Sequence, residues 1–299
     1  MGSHSPEYYK DHYFVPEGSP YPFLASIALF CIAMGGATYL NGYEFGPKLM
    51  SVGFLFMAVM LFIWFRKVII ESPVYNMEVD KSFRMGMSWF IFSEVMFFAA
   101  FFGALYYLRM LAVPWLAETE ILWPGFEATW PSAGPTGAAL LAGATPDSVA
   151  IAEGTEYALI DPWHLPLWNT IILLVSSVTL TIAHHALRDN KRGQLIFWLA
   201  VTVILGAIFL YLQAEEYIEA YQHLGLTLGT GVYGSTFFML TGFHGFHVCL
   251  GAFILLIVLI RCIKGDFTPE KHFAFEAGAW YWHFVDTVWV GLFIFVYVL

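Results

Sequence analysis

The C-terminal stretch constrains this chain more than any other part of it. It reads HFAFEAGAWYWHFVDTVWVGLFIFVYVL from His272 to the end. This is long enough to cross a bilayer, because about 20 apolar residues span a hydrocarbon core of about 30 Å. Glu276, Trp280, His283 and Asp286 share one face of such a helix at about 100° per residue. Ionisable groups are costly in lipid, so this face is predicted to turn toward other helices.

The composition indicates an integral membrane protein. Apolar residues make up 59% of the chain and charged residues 12%, whereas soluble domains carry about a quarter charged residues. The net charge of −10 and the lack of a basic tract argue against nucleic acid as a partner. Cys31, Cys249 and Cys262 form no close pair, so they are predicted to be packing residues rather than a disulfide or a metal site.

The apolar segments predict an all-α membrane protein with seven transmembrane helices in one membrane domain, residues 1–299. No period of 20–50 residues repeats, which argues against a solenoid or an inverted-repeat transporter. The predicted segments are Phe23–Leu40, Met50–Ile70, Met85–Val113, Leu167–Leu187, Leu195–Tyr221, Tyr233–Ile263 and Phe273–Leu299.

The loops predict the orientation, because basic residues stay on the cytoplasmic side. Three alternate loops carry the basic residues, and the intervening loops hold only Lys48 and Arg109. Residues 1–22 show no signal-peptide pattern and are predicted to be a cytoplasmic segment, which puts the C-terminus outside. The basic residues of the three loops are Arg66, Lys67, Lys81, Arg84, Arg188, Lys191, Arg192, Arg261, Lys264 and Lys271.

The loop of residues 114–166 is predicted to be external and irregular, since it is rich in Gly, Ala and Pro. It carries acidic residues and no Lys or Arg. One interpretation is a docking face for a basic periplasmic partner; the other is that outer loops lack positive charge for topological reasons alone. Its acidic residues are Glu118, Glu120, Glu127, Asp147, Glu153, Glu156 and Asp161.

Segment three carries a carboxylate close to mid-membrane, Glu94. Desolvation there favours a protonated or hydrogen-bonded group. Two interpretations stay open: a proton-relay or lipid-pocket group, and a neutral structural residue. The polar residues at the ends of segments four and five are predicted to be solvated or interfacial; they are His184, His185, Glu215, Glu216 and Glu219.

Segment six carries His244 and His247, one helical turn apart, in TGFHGFH. They could ligate haem or a metal ion with His283 or His184 as partner. Alternatively, they bond across a helix interface to a Glu or Asp side chain, such as Glu276 or Asp286. Close helix approach is predicted at three neighbouring glycines, which are Gly242, Gly245 and Gly251.

Aromatic and basic residues cluster at the predicted cytoplasmic membrane interface. Trp64, Arg66 and Lys67 follow segment two, and Arg261 and Lys264 follow segment six. One interpretation is that these clusters bind anionic lipid headgroups. The other is that the positive charges only fix the orientation of the helices in the membrane.

Six motifs in order resemble subunit III of the aa3-type cytochrome c oxidases. They extend over most of the chain, and the last two are the most specific. They are SEVMFF (Ser93–Phe98), DPWHLPLWNT (Asp161–Thr170), AHHA (Ala183–Ala186), LQAEEY (Leu212–Tyr217), VYGSTFFMLTGFHGFHV (Val232–Val248) and FEAGAWYWHFVD (Phe275–Asp286).

The resemblance implies a fold of two bundles around a lipid-filled cleft, helices one and two (23–70) against helices three to seven (85–299). It implies that the chain itself holds no haem and no metal, and that haem a, haem a3, CuA and CuB reside in subunits I and II. The implied cleft and proton-related residues are Glu94, Trp64, Arg66, Glu71 and Arg261. The implied interhelical polar network consists of His244, His247, Glu276, His283 and Asp286.

The resemblance implies a non-catalytic subunit that packs on subunit I, binds phospholipids, and supports proton uptake and stability during turnover. The complex would accept electrons from cytochrome c in a bacterial inner membrane. Three alternatives remain at this point: subunit III of a quinol oxidase, a haem-bearing membrane cytochrome and a proton-coupled transporter. Retention of the first two helices argues against the quinol oxidase.

Overall fold

The computed structural model describes residues 18–72, 75, 77–132, 134 and 158–299. These residues contain no β-strand and form seven helices long and apolar enough to span a membrane. The predicted all-α fold with seven spanning helices is therefore confirmed. The helices are α1 (Tyr21–Leu40), α2 (Gly46–Glu71), α3 (Met77–Ala117), α4 (Leu165–Arg188), α5 (Arg192–Gln222), α6 (Val232–Lys264) and α7 (Phe273–Val298).

Prolines and glycines mark several helix ends. Pro22, Pro47 and Pro166 lie in the first turns of α1, α2 and α4, where the missing amide costs no hydrogen bond. Helix α6 ends at Lys264 and is capped by Gly265, whose φ of +86° is left-handed and whose amide donates to the carbonyls of Arg261 and Cys262.

Helix α3 extends well beyond its predicted start at Met85. Its first turn carries Glu78 and Asp80, which favour a helix N-terminus but lie outside an apolar window. Toward its C-terminal end the helix passes through a five-residue π-helical segment, Leu108–Ala112. Hydropathy therefore located the membrane-embedded part of α3 and missed its polar first turns.

The chain divides into two compact units, Met1–Met85 and Gly86–Leu299. In the first unit, α1 and α2 pack closely through small residues. A Cβ added at Gly53 would lie 2.8 Å from Ile32, so the two backbones approach too closely for a larger side chain. This is the small-residue packing that membrane helices favour.

The second unit has its core among α4, α5, α6 and α7. In the most apolar 18-residue stretch of each helix, 44% of the residues are buried in α4 and in α7, against 11% in α1 and in α2. The largest side chains with almost no exposed surface include Trp282, Trp289 and Tyr281 of α7, together with Phe209 and Phe237. Helix α7 thus packs into a bundle, but its most deeply buried face carries these aromatic residues. Of the face that was predicted to turn inward, Asp286 is buried, whereas Glu276, Trp280 and His283 are half-buried.

The predicted external loop is described only in part. Residues 114–117 still belong to α3, and residues 118–132 and 134 of the loop follow it. The described part of the chain resumes at residue 158, where the amide of Ala158 bonds to the carbonyl of Leu224. Asp147, Glu153 and Glu156 lie outside the described residues.

Candidate functional site

A histidine–carboxylate pair joins α3 to α6 within the second unit. Nε2 of His247 lies 2.9 Å from Oε2 of Glu94. The side chains are 10% and 21% exposed in the isolated chain. The structure thus gives Glu94 a specific partner, and that partner is one of the two histidines of TGFHGFH.

The geometry of this pair requires one shared proton. Nδ1 of His247 lies 2.6 Å from the Phe243 carbonyl, which can only accept, so Nδ1 carries a hydrogen. A hydrogen bond between Nε2 and Glu94 then needs one further proton, on the imidazole or on the carboxyl group. In either arrangement the pair is neutral overall, which makes a carboxylate at this depth tolerable.

Aromatic rings surround the pair. The His247 ring contacts Phe98 and Phe97 at centroid distances of 5.0 and 5.7 Å. Phe97 in turn packs against Phe101 and Phe243. These rings lower the local dielectric, so the interaction between the two polar groups is stronger than it would be in water.

The other predicted network residues have separate partners. Nε2 of His244 donates to the Val285 carbonyl at 3.1 Å, and Nδ1 of His283 lies 3.0 Å from Oγ of Ser177. Asp286 is 7% exposed.

Glu276 lies at the start of α7, where its Oε1 is 3.1 Å from Nε2 of His272 and 3.6 Å from Nε2 of His184. The histidines of α6 were predicted to bond across a helix interface to a Glu or Asp, such as Glu276 or Asp286. His247 does bond across an interface to a glutamate, but that glutamate is Glu94; His244 bonds to a backbone carbonyl of α7 instead.

Sequence reasoning missed a second set of polar contacts, between α4 and α7. The indole Nε1 of Trp282 donates to Oγ of Ser176 at 2.9 Å, and Nε1 of Trp289 donates to Oγ1 of Thr170 at 2.9 Å. Both hydroxyls are buried. The signal was available, because α4 carries Ser and Thr at helical spacing within an apolar run.

The predicted close approach at three glycines holds at one of them. A Cβ at Gly251 would lie 3.0 Å from the Trp282 ring, whereas at Gly245 nothing lies within 4 Å and at Gly242 the nearest atom is at 3.6 Å. The tightest contact to the same ring is at Gly206 of α5, where a Cβ would lie 2.6 Å away. The sequence prediction identified the right helix interface and missed the glycine opposite the tryptophan.

The prediction that the rim residues are solvated or interfacial was wrong for Glu216. It is 1% exposed, and the hydroxyl of Tyr297 donates to its Oε1 at 2.5 Å. Glu215 and Glu219 are exposed. The difference is helical phase: Glu216 lies on the face of α5 that packs against α7, and the run of glutamates does not reveal which one points inward.

In the first unit, Glu71 is held by neighbours within its own helix end. It pairs with Lys67 at 3.6 Å and accepts a hydrogen bond from the Tyr75 hydroxyl at 3.4 Å. Burial, with the Glu71 carboxylate beside it, raises the pKa of Tyr75 to about 12, so this hydroxyl stays protonated and remains a donor. Trp64 stacks on Tyr21 at 5.7 Å, and Arg66 is exposed.

In the second unit, Arg261 is engaged at the end of α6. Its Nε donates to Asp266 at 3.1 Å, and its guanidinium lies 4.5 Å from the centre of the Phe267 ring. These contacts are within the loop that follows α6, so the predicted headgroup ligand already has a carboxylate partner.

An apolar cavity of about 780 Å³ lies between α3 and α7 in the second unit. Its wall includes Phe98, Phe102, Phe284 and Phe295, and the side chain of Arg109 contributes a positive charge to it. Phe98 also contacts the His247 ring. The cavity wall and the surroundings of the Glu94–His247 pair thus share a side chain.

The fold and the site define a class, a multi-pass helical membrane protein with a half-buried histidine–carboxylate pair. The family described as cytochrome c oxidase subunit III matches residues 11–142 and 143–299. The chain therefore belongs to the cytochrome c oxidase subunit III family, a component of an oxidoreductase complex of the respiratory chain. The resemblance to cytochrome c oxidase subunit III is confirmed.

Proteins from distant organisms are similar to this chain over nearly its whole length. Cytochrome c oxidase subunit 3 of Papio hamadryas is 39% identical over 288 residues, covering 95% of this chain and 96% of its own. That of Chondrus crispus is 38% identical over 282 residues, covering 93% and 90%. That of Arabidopsis thaliana is 36% identical over 291 residues, covering 96% of both chains.

Proposed function

We propose that this chain is the non-catalytic subunit III of an aa3-type cytochrome c oxidase, which reduces O₂ to water and pumps protons. It packs on subunit I, supports proton uptake and preserves activity during turnover. Haem a, haem a3, CuA and CuB belong to subunits I and II, and cytochrome c donates electrons to the complex. Family membership over the whole length of the chain supports this proposal.

The observation that carries the proposed role is the contact between Glu94 and His247. A pair that holds one proton in an aromatic environment changes charge only if a proton enters or leaves. It is therefore suited to keep the membrane interior beside the oxidase neutral, or to exchange a proton at a fixed place. Both uses are supporting ones, because neither residue forms a bond to a substrate.

The apolar cavity supports the proposed binding of phospholipid. Its aromatic wall matches acyl chains, and Arg109 offers a guanidinium for a phosphate group. The cation–π contact of Arg109 with Trp130, at 5.7 Å, holds the guanidinium at this place.

We propose that the N-terminus lies on the cytoplasmic side of a bacterial inner membrane and the C-terminus on the periplasmic side. The basic loops after α2, α4 and α6 support this orientation, because positive charge is retained inside. The proposed domain is one membrane unit in which residues 23–70 and 85–299 form the two bundles.

The experiment that tests the role is the substitution Glu94→Ala in the intact oxidase. We expect faster loss of activity during turnover and less co-purifying phospholipid, with an unchanged haem spectrum. Glu94→Gln tests the chemistry separately, since its amide can donate to Nε2 of His247 but cannot release a proton. Glu219→Ala removes an exposed carboxylate from α5 and serves as the control.

Two results would contradict the proposed role. A changed haem spectrum in Glu94→Ala would mean that Glu94 acts on the redox centre rather than through packing and lipid. Identical turnover lifetimes in Glu94→Ala and Glu219→Ala would remove the supporting role altogether.

A further inference from the structure

Two histidines and a glutamate meet at the end of the second unit where α4 finishes and α7 begins. One ring nitrogen of His184, one of His272 and a carboxylate oxygen of Glu276 lie within 4.8 Å of one another. The side chains are 29%, 9% and 15% exposed. This cluster is distinct from the Glu94–His247 pair, which lies deeper along α6.

The tautomer of His272 makes this cluster a set of electron-pair donors. Its Nδ1 lies 3.1 Å from the Thr268 carbonyl, which only accepts, so Nδ1 carries the hydrogen. In the neutral imidazole, Nε2 then presents a lone pair to Oε1 of Glu276 at 3.1 Å. A positive centre must therefore lie between these two atoms, either a proton, as in the Glu94–His247 pair, or a metal ion that His184 also binds. An Nδ1–H bonded to a backbone carbonyl is also the arrangement that orients metal-binding histidines.

The spacing fits a tetrahedral metal ion. Zinc bonds to histidine nitrogen and carboxylate oxygen at about 2.0–2.2 Å, which gives ligand-to-ligand edges of about 3.3–3.6 Å. The edges from Glu276 Oε1 to the two histidines are 3.1 and 3.6 Å. Two imidazoles and one carboxylate leave the fourth position for water, as in His₂Glu zinc sites.

Helix geometry holds the three ligands in place. His272 and Glu276 are four residues apart, across the start of α7, so their side chains lie on one face. His184 comes from the last turns of α4, and its ring packs against Phe275 at 5.4 Å. The cluster is at a helix end rather than at mid-membrane, so a hydrated ion can reach it.

We propose that His184, His272 and Glu276 form a binding site for a divalent transition-metal ion, Zn²⁺. The site carries no redox chemistry, and it clamps the end of α4 to the start of α7 when the ion is bound. It is independent of the role proposed for Glu94, since neither group takes part in the other's contacts.

Zinc content of the intact oxidase tests this proposal. The complex is stripped with a chelator, equilibrated with buffered Zn²⁺, and its zinc measured by mass spectrometry relative to haem. We expect the unaltered complex and the control His185→Gln to bind one more zinc per complex than His272→Gln or Glu276→Gln. His185 is the matched control because it is the next residue on α4 and is exposed.

Loss of one of three ligands is expected to weaken zinc binding at this site by at least about 100-fold, since even outer partners of a ligand contribute 10–100-fold. Zinc sites on other subunits contribute equally to all variants and cancel in the comparison. Equal zinc content in all four complexes overturns the proposal.

A measurement on the unaltered complex avoids any effect of a variant on folding. Diethylpyrocarbonate modifies the free lone pair of neutral imidazole, and the modified residues are located by peptide mass spectrometry. We expect Zn²⁺ to suppress labelling of His184 while labelling of His185 is unchanged. Labelling of His184 that responds to pH but not to Zn²⁺ would show that the cluster holds only a proton, and would overturn the metal assignment.

Discussion

At the scale of single residues, several buried or half-buried polar groups of this chain lie in pairs of complementary donors and acceptors. Glu94 has His247, Glu216 has Tyr297, and the Trp289 indole has Thr170. Each pairing removes the penalty of an unsatisfied polar group in a low-dielectric interior. The pairs differ in chemistry, because only the Glu94–His247 contact requires a proton that either partner can hold.

The indole–hydroxyl contact gives a prediction at this scale. Thr170→Val keeps the shape of the side chain and leaves Nε1 of Trp289 buried without its acceptor, a cost of about 1–3 kcal/mol. We expect a lower midpoint temperature for release of this chain from the complex. The matched control is Thr181→Val on the same helix, where the hydroxyl bonds to the Ser177 carbonyl and the residue is exposed.

The thermal release of the chain can be followed by native electrophoresis after heating. The expectation is a larger shift for Thr170→Val than for Thr181→Val. Equal shifts would mean that the hydroxyl of Thr170 adds nothing beyond its volume.

At the scale of helices, the second unit is organised around the aromatic face of α7. The Trp282 ring occupies a space left by Gly206 of α5 and Gly251 of α6, and its indole bonds to Ser176 of α4. One side chain therefore touches three neighbouring helices. Packing of this kind is sensitive to the addition of a single methyl group.

This arrangement predicts opposite effects for two glycine substitutions. Gly206→Ala forces its Cβ to within 2.6 Å of the Trp282 ring, and overpacking of this kind typically costs about 1–3 kcal/mol. Gly245→Ala adds a methyl group where nothing lies within 4 Å and gains helix propensity, about 1 kcal/mol. Expression and thermal retention of the chain in the oxidase measure both. A Gly206→Ala complex as stable as the Gly245→Ala complex would contradict the packing assigned to Trp282.

The helices themselves follow from hydropathy, and their contacts follow from information that hydropathy lacks. Length and apolar content located all seven spans. They did not reveal that Glu216 points inward while Glu215 and Glu219 are exposed, because helical phase decides this. The partner of His247 was also missed, since Glu94 is far away in the sequence and only the packing of α3 on α6 brings the two together.

The meeting of His184 with Glu276 was missed for the same reason. His184 was predicted to be solvated or interfacial at a helix rim; its side chain is 29% exposed and faces a carboxylate of α7. The i, i+4 spacing of His272 and Glu276 was visible in the sequence. The third ligand depends on how α4 lies against α7, which no local pattern contains.

At the scale of the whole molecule, much apolar surface remains exposed. The spanning windows of α1 and α2 are only 11% buried, and large side chains such as Phe62, Leu55 and Phe30 are more than 60% exposed. In water such surface would drive aggregation, whereas in a membrane it faces lipid tails or other subunits. The exposed apolar surface is therefore consistent with a chain that functions within a membrane complex.

The most direct measurement is purification through this chain from its native membrane in mild detergent, followed by an optical spectrum and identification of the accompanying chains. We predict haem a bands together with two larger haem–copper subunits, and no haem on this chain once it has been stripped from the complex. Haem that remains on the isolated chain, or a purified chain that arrives with no haem protein, would contradict its assignment as the non-catalytic third subunit.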